Sequence, residues 1–471
     1  MARSDKMPTF AVLNNSAMIQ EFRVSNFLSF RDETVLSFEP VGTHRRGKER
    51  ASLKDFLVYK VNENTELLRL AVFYGANASG KSNILKALDF LVSFCKKKTS
   101  QPDAPTGVTP FMLNSATRNL PSKFNLRFFI NGERYWYNLE LDSRQVYAEA
   151  LYIYKSAQPT AVFKRTINTI EFNPTENTLS AIAKEQLQLN CLPNESFFAS
   201  RAKVNIQLNH IDKVIKYFDE NFLDSMMDEP LDFENLYKAA EEFISENSEA
   251  KQHLLRFLKE ADFNISGVTS KKQEIMVPEE VRNTVLADPT SPKALKDQLR
   301  EKPSYSIIRT FFTHQVTEAG KMMEYTMPSQ FQSLGTRRVF ALESYLYALE
   351  ETNRIALLDE FDSSLHPNLA DYLISKFANC PNSGSQLIVT SHYTGLLDNE
   401  DLRDDCFWIT EKDKSGASTI RSVGKTKDMR VASKEKGYRQ GKLGGIPVFQ
   451  KEPESGADNE EYKELSLFSE F

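Results

Sequence analysis

LLRLAVFYGANASGKSNILKALDFLVSF, residues 67–94, is the stretch on which the fold turns. The apolar run from Leu67 to Tyr74 reads as a buried strand. Gly75-Ala76-Asn77-Ala78-Ser79-Gly80-Lys81-Ser82 fits G-x-x-x-x-G-K-[ST]. Beyond it Ile84, Leu85, Leu88, Leu91 and Val92 recur at helical spacing and give a helix with one apolar face. Strand, glycine-containing loop and helix are the order that phosphate binding needs. Glycines let backbone N–H groups turn inward, the helix N-terminus adds positive potential, Lys81 reaches the β/γ-phosphates and Ser82 can ligate Mg²⁺. Residue frequencies alone give such a match in a chain of this length on the order of one time in a hundred. The plainer account is a strand–helix turn that holds no ligand.

Further along, Ile355-Ala356-Leu357-Leu358-Asp359-Glu360 is an apolar strand ending in two consecutive carboxylates. Bare carboxylates are costly inside a sheet and belong at the strand's C-terminal edge, where open α/β sheets bind ligands. Asp359 is placed to hold Mg²⁺ directly or through water, and Glu360 to orient or deprotonate an attacking water. A helix-capping acidic pair is the alternative. The phosphate loop disfavours it, because loop and carboxylates together supply both halves of a Mg-nucleotide site. Thr390-Ser391-His392 follows another apolar strand, Gln386 to Val389, and a neutral His392 can donate to a γ-phosphate. Ser333 and Gly335 precede an amphipathic helix, where a hydroxyl and an amide form either an anion site or a simple N-cap.

The 471 residues carry 59 Lys+Arg against 64 Asp+Glu, a formal charge of -5, which argues against a protein that coats nucleic acid over its whole surface. With 26% charged residues, 18 Gly and 19 Pro, the chain is neither disordered nor collagen-like. Cys95, Cys191, Cys380 and Cys406 form no C-x-x-C pair and offer neither a zinc motif nor a disulfide framework, which fits a reducing cytosol. No run approaches the roughly 18 apolar residues of a membrane span, and the first residues contain no sustained apolar signal region. A cytoplasmic protein with no membrane partner is the expectation.

Residues 19–41 read as an antiparallel hairpin around Arg31-Asp32-Glu33-Thr34, followed by a basic loop with Arg45, Arg46, Lys48 and Arg50. Residues 124–163 read as a β-meander. From 178 to 303 the text is helical and strongly charged, without a heptad register that survives three repeats, which predicts a compact helical insertion. Alternating β and α units then predict a parallel sheet covered on both faces. The expected organisation is 19–177 for the half with the phosphate loop, 178–303 for the insertion, 304–410 for the half with Ser333, Asp359, Glu360 and His392, and 411–471 for a polar tail. Within the tail, residues 421–442 hold eight basic residues against two acidic, and residues 451–471 hold seven acidic against two basic. Both basic segments read either as solvated faces or as a nucleic-acid footprint.

Phosphate loop, long insertion, S-x-G-T before a helix, apolar strand ending in Asp-Glu, DSSLHP, then a histidine after the next strand: this order resembles the ABC-type ATPases of the SMC, RecF and OLD group. It is most similar to the prokaryotic members of that group in abortive-infection and other anti-phage systems, with RloA-like and AbiL-like ATPases and the AriA subunit of PARIS as relatives. FRVSNFLSFRDETVLSF (22–38), LDEFDSSLHP (358–367) and GYRQGKLGGIP (437–447) are similar to the family's pattern as well. The resemblance implies an α/β fold: an ABC-type ATPase head, with a mixed or parallel sheet, helices and an antiparallel β subdomain, interrupted by the helical insertion. It implies Gly75, Asn77, Ser79, Gly80, Lys81, Ser82 and Asn83 on ATP, Ser82 and Asp359 on Mg²⁺, and Glu360 and His392 as catalytic groups. Ser333 and Gly335 would cap the ATP of a second protomer, with Asp362 and Ser364 in the dimer-contacting loop. For the glutamine that completes the metal site in this family, the region after the first helix offers only Gln101 and a Thr109-Pro110-Phe111 turn.

The function so implied is an ATPase serving as sensor or scaffold subunit of an anti-phage defence system. It would act as a homodimer or higher homo-oligomer controlling a separately encoded effector: a nuclease, a TOPRIM-like protein or another toxin. Nucleic acid and a phage-encoded trigger are further candidate partners. His44, His210, His253 and His314 form no H-N-H-like cluster, and Asp404-Asp405 precede a strand instead of ending one, so no nuclease is read within the chain. The competing function is a RecF- or SMC-like DNA-binding ATPase clamp in repair or recombination.

Overall fold

The computed structural model describes residues 17–41, 56–223, 230–261, 264–288, 291, 293–380, 383–425 and 433–446. The basic Arg45–Arg50 loop and the acidic 451–471 end lie outside them. Strands β1 (Ala17–Ser25) and β2 (Thr34–Ser37) form the opening hairpin, β3 (Val58–Lys60) and β4 (Glu66–Leu68) a smaller one, and β5 (Leu70–Gly75) leads into helix α1 (Lys81–Lys96). The meander is β6 (Ser122–Ile130), β7 (Glu133–Leu141), β8 (Val146–Tyr154), β9 (Pro159–Thr166) and β10 (Ile170–Phe172). Next come α2 (Ala181–Leu189), α3 (Phe197–Arg201), α4 (Asn209–Glu220), α5 (Pro230–Glu246), α6 (Ser248–Glu260), β11 (Ile265–Met276), α7 (Glu279–Ala287), α8 (Lys293–Glu301), β12 (Ser304–Glu318) and β13 (Lys321–Pro328). The chain continues through α9 (Leu334–Thr352), β14 (Ile355–Leu358), α10 (Pro367–Ala378), β15 (Gln386–Thr390), β16 (Phe407–Lys412), β17 (Ser418–Ser422) and α11 (Lys434–Arg439).

The fold is mixed α/β. Its central sheet has the order β14-β15-β5-β16-β17, with the first four strands parallel and β17 antiparallel. β5, β14 and β15 are buried along their whole length, the pattern of strands covered on both faces. Because these strands run the same way, Gly75, Asp359 and the residues after Thr390 all emerge at one edge, the edge where open α/β sheets place ligands.

Beside this sheet lies a seven-stranded antiparallel one, β10-β9-β8-β7-β6-β1-β2, whose β7 alternates buried and half-buried residues. One buried side chain ties the two together. Gln386, at the start of β15, donates from Nε2 to the Ile19 carbonyl at 2.9 Å and the Leu68 carbonyl at 3.0 Å, and accepts from the Ile19 amide at 2.6 Å. Both ends of the amide are thereby satisfied, as burial demands. The apolar run expected to be one strand from Leu67 to Tyr74 breaks at Arg69. This buried arginine donates to the Phe56 carbonyl at 3.0 Å and the Cys380 carbonyl at 2.8 Å, and lies 4.7 Å over the Phe377 ring. The elbow lets β4 pair with β3 while β5 enters the central sheet.

The stretch 178–303 holds helices α2 to α8, and it also holds β11, which pairs with β12 across the expected boundary at 303. Ser270-Lys271-Lys272-Gln273-Glu274 has no strand pattern of its own; pairing with the more apolar β12, which also pairs with β13, holds it extended. Helix α5 packs on α9, and α6 packs on both α9 and β11. Where α6, α9 and α10 meet, the fully buried Glu343 carboxylate receives Lys376 and His253.

One helical turn pair away on α9, burial pushes the Glu350 carboxyl up to about 7, with Lys376 opposing and Glu343 reinforcing the shift. A folded-state value above the unfolded one stabilises fully at pH below the ordinary carboxyl value, and that contribution is lost as pH rises through about 7. Glu350→Gln keeps a neutral polar group there. Its stability in urea should gain on wild type between pH 5 and pH 8, by up to on the order of 3 kcal/mol. A stability difference that does not change with pH across that range would refute the assignment.

Candidate functional site

Strand β5 stops at Gly75, and α1 begins at Lys81 after Gly80, whose φ of 111° suits glycine alone. A β-carbon on Gly75 would lie 2.2 Å from Thr410 Oγ1, and one on Gly80 would lie 2.5 Å from Ser418 Oγ. The loop is therefore pressed against the β16–β17 hairpin. Thr410 Oγ1 donates to the Tyr74 carbonyl at 3.0 Å, so the 2.6 Å bond between Thr410 and Ser79 hydroxyls has Ser79 as donor. Ser418 Oγ donates to the Ser79 carbonyl at 2.7 Å. The opening hairpin adds a third support: Asn83 Nδ2 donates to Ser29 Oγ at 2.7 Å, and the Ser418 amide to the Ser29 carbonyl at 2.7 Å. Gly75 and Ser79 thus sit beneath the loop, with Asn77 and Ala78 on its exposed crest.

The Lys81 ammonium folds back into the loop and donates to the Gly75 carbonyl at 2.9 Å and the Ala76 carbonyl at 3.2 Å. Burial pulls its pKa below the usual lysine value, against the opposing pull of Glu360, Asp359 and Asp362.

Two strands away, Asp359 is buried at the end of β14 and accepts a hydrogen bond from Thr390 Oγ1. Glu360 has a φ of 45°, left-handed for a residue with a side chain. Its amide donates to Thr390 Oγ1 at 2.8 Å, and its carbonyl accepts from Arg338 Nη2 at 2.7 Å. The half-exposed Glu360 carboxylate stands 3.6 Å from His392 Nε2. The His392 amide donates to the Asp362 carboxylate at 3.1 and 3.2 Å. Burial, then the nearby Lys81, pull the imidazole below its ordinary pKa, so it is neutral at pH 7 and has one N–H to give.

Asn77, Gly80, Lys81, Ser82 and Asn83 line one open cavity of about 700 Å³, and Glu360 and His392 close its far side. Ala78 and Lys412 complete the lining. Lys412 belongs to no motif; it is found only by knowing that β16 lies next to β5 and ends at the same edge. Gln101 does not line the cavity. Nor do Ser333 and Gly335. Ser333 Oγ accepts from the Thr336 amide at 3.0 Å and caps α9 from an exposed position, while a β-carbon on Gly335 would meet the Ser364 carbonyl at 3.2 Å.

The GYRQGKLGGIP segment is described as far as Ile446, and it packs against the back of the loop. The Gly445 amide donates to Glu411 Oε1 at 2.9 Å, Tyr438 Oη donates to the Gly445 carbonyl at 3.0 Å, and the Tyr438 and Tyr74 rings lie 5.9 Å apart.

A glycine loop between buried strand and helix, a lysine folded into it and an acidic strand end across the same cavity define a P-loop nucleotide-binding domain. The chain belongs to the family described as "AAA domain, putative AbiEii toxin, Type IV TA system", whose model matches residues 70–398. Solved structures similar to it include the SMC head domain from Thermotoga maritima, 14% identical, covering 86% of this chain and 98% of that one with a TM-score of 0.39. A second is an Smc head bound to the C-winged helix domain of ScpA, 14% identical, covering 88% and 99% with a TM-score of 0.36. A third is the Smc head domain with an extended coiled coil bound to the C-terminal domain of ScpA derived from Pyrococcus furiosus, 13% identical, covering 91% and 99% with a TM-score of 0.35. No curated protein matches the chain.

Gly445 has a φ of 66°, and a β-carbon there would lie 2.5 Å from Ile409 Cγ2, whereas Gly320, at 78°, has nothing within 4 Å. Gly320→Ala should cost about 1–2 kcal/mol of left-handed strain. Gly445→Ala should cost about 1–3 kcal/mol more through overpacking. Equal losses in denaturant titrations of the two variants would show that the segment does not press on the loop.

Proposed function

We propose that the chain is an ABC-type ATPase, binding and hydrolysing Mg-ATP, that serves as the sensor or scaffold subunit of an anti-phage, abortive-infection-like defence system. One observation carries the ATPase reading: Lys81, Ser82, Glu360 and His392, from three separate strand ends, meet around a single cavity of about 700 Å³, beside buried Asp359. The donors fit a small hard cation. The Ser82 hydroxyl and Asp359 carboxylate are oxygen ligands, and Mg²⁺ usually takes one or two protein oxygens beside phosphates and waters. When bound, Mg²⁺ neutralises charge on the β- and γ-phosphates. The remaining tasks fall to the protein. Lys81 exchanges the Gly75 and Ala76 carbonyls for phosphate oxygens, Asn77, Gly80 and Asn83 line the phosphate path, and Ser79 holds the loop from below. Glu360 orients and deprotonates the attacking water, and neutral His392 donates to the γ-phosphate.

Ser333 and Gly335 stand outside their own chain's cavity at an exposed helix N-terminus, and in the proposal they cap the ATP of a second protomer. Asp362 and Ser364 then lie at the contact, and turnover requires a homodimer or larger homo-oligomer. The family's toxin–antitoxin description supports a defence setting. The phage-encoded trigger and the separately encoded nuclease, TOPRIM-like or other toxin effector extend the reading from the resemblance in motifs. A cytoplasmic location accords with it; among the described residues no helix is long and apolar enough to cross a membrane.

A DNA clamp would use the basic tail as its footprint. Three of the tail's described cations are occupied within the chain: Arg421 by the Leu443 carbonyl, Lys434 by Asp404 at 2.8 Å and Arg439 by Glu435 at 2.7 Å. The salt dependence of binding to duplex DNA, without any partner, separates that reading from the defence one.

Glu360→Gln should still bind ATP, accumulate ATP-bound oligomers and lose turnover by about 10²–10⁴-fold. Lys81→Ala should lose nucleotide binding itself. Phosphate release, fluorescent-nucleotide titration and size-exclusion chromatography with ATP test both variants. Wild-type hydrolysis by Glu360→Gln removes Glu360 as the base, and wild-type ATP affinity in Lys81→Ala removes the cavity as the nucleotide site.

A further inference from the structure

Resting on that reading, we propose that Thr390 is the positioning residue that sets both carboxylates of the acidic strand end for the reaction. The parallel register of β14 and β15 pairs Leu358 with Val389, which brings Thr390 opposite Asp359 as the chain leaves the ladder. Thr390 is completely buried. Its hydroxyl has one proton, and geometry decides where the proton goes. The Glu360 amide donates to Thr390 Oγ1 at 2.8 Å, so that oxygen acts as acceptor there and gives its own proton to Asp359 Oδ1. The same residue's carbonyl accepts from the Phe361 amide at 3.2 Å. A single residue on the strand that leads to His392 thus holds three consecutive positions, Asp359, Glu360 and Phe361.

Each bond has a separate consequence. The bond to Asp359 holds Oδ1 of a buried carboxylate, and so, in the proposed site, sets which oxygen is left for the cation. The bond from Glu360 replaces the ladder partner its amide would have had in a continuing strand, and holds the left-handed turn that aims the Glu360 carboxylate at His392. Thr390 does not line the cavity and touches no substrate; it acts through the two acidic residues.

Thr390→Val removes the hydroxyl at nearly constant shape, and Thr390→Ser keeps it. ATP affinity without divalent ion, set by the Lys81 loop, should be unchanged in both. The Mg²⁺ concentration for half-maximal turnover should rise and kcat should fall in Thr390→Val, each by about 10- to 100-fold, the usual scale for losing a group that orients a metal ligand. Binding of Mn²⁺ to the protein–ATP complex, followed by electron paramagnetic resonance, should weaken in parallel. Thr390→Ser should restore all three. If Thr390→Val does not fold by circular dichroism, Thr390→Ala carries the same comparison. The proposal is overturned if the hydroxyl-free variant keeps wild-type metal requirement and turnover, or if a folded Thr390→Ser fails as the hydroxyl-free variant does. Failure of the wild-type protein to bind ATP more tightly than Lys81→Ala would instead overturn the ATPase reading and this inference with it.

Discussion

Strand β5 ends at Gly75, where a β-carbon would lie 2.2 Å from the Thr410 hydroxyl oxygen and 2.6 Å from the Thr410 carbonyl. Only glycine fits, and the loop that follows takes its shape from what presses on it. Thr410 and Ser418 hold Ser79 from one side, Ser29 holds Asn83 from another, and a β-carbon on Gly445 would lie 3.5 Å from Gly75 Cα. A phosphate loop must present its amides to the ligand without collapsing onto them. Here the β16–β17 hairpin, the opening hairpin and the C-terminal segment share that task, although the opening hairpin lies hundreds of residues from the other two in the chain.

The cavity's two walls hang on different neighbours of β5. The loop leans on β16, while the acidic edge leans on β15 through Thr390. The C-terminal segment reaches both. Gly445 meets Glu411 beside the loop, while Asp398, in the turn after His392, accepts from the Ser433 hydroxyl and from the Lys434 and Glu435 amides at the start of α11. A short, basic stretch that reads as a solvated tail is therefore part of the cavity's frame.

The parallel sheet was legible because β5, β14 and β15 are continuous apolar runs, and the loop was legible because its glycine spacing has few other uses. The positions that the sequence hid have physical reasons for hiding. Arg69 breaks an apolar run only because the Phe56, Cys380 and Phe377 neighbours that receive it come from distant segments. β11 is extended by its partner and not by its own text. Lys412, Thr390 and Thr410 are ordinary residues on strands, and their proximity to the cavity depends on strand order, which single-strand patterning does not encode. Ser333 could be read either as a cap or as an anion site; the structure shows the cap, at an exposed helix end.

Helix α9 joins these parts mechanically. Its N-terminus is the exposed end that would reach another protomer, Arg338 one turn in grips the Glu360 carbonyl, and Glu343 further along binds Lys376 of α10 and His253 of α6. The left-handed conformation of Glu360 costs about 1–2 kcal/mol. Hydrogen bonds contribute about 1 kcal/mol each net, and the turn has three: Arg338 and the Ser363 amide donate to the Glu360 carbonyl, and the Glu360 amide donates to Thr390 Oγ1. Together they outweigh the strain, so the turn depends on its supports. If a second protomer or the insertion shifted α9, Arg338 would move with the helix and pull on the Glu360 carbonyl it grips. Under the proposed function, coupling between assembly and hydrolysis would need no long relay, because one arginine separates the exposed α9 N-terminus from Glu360.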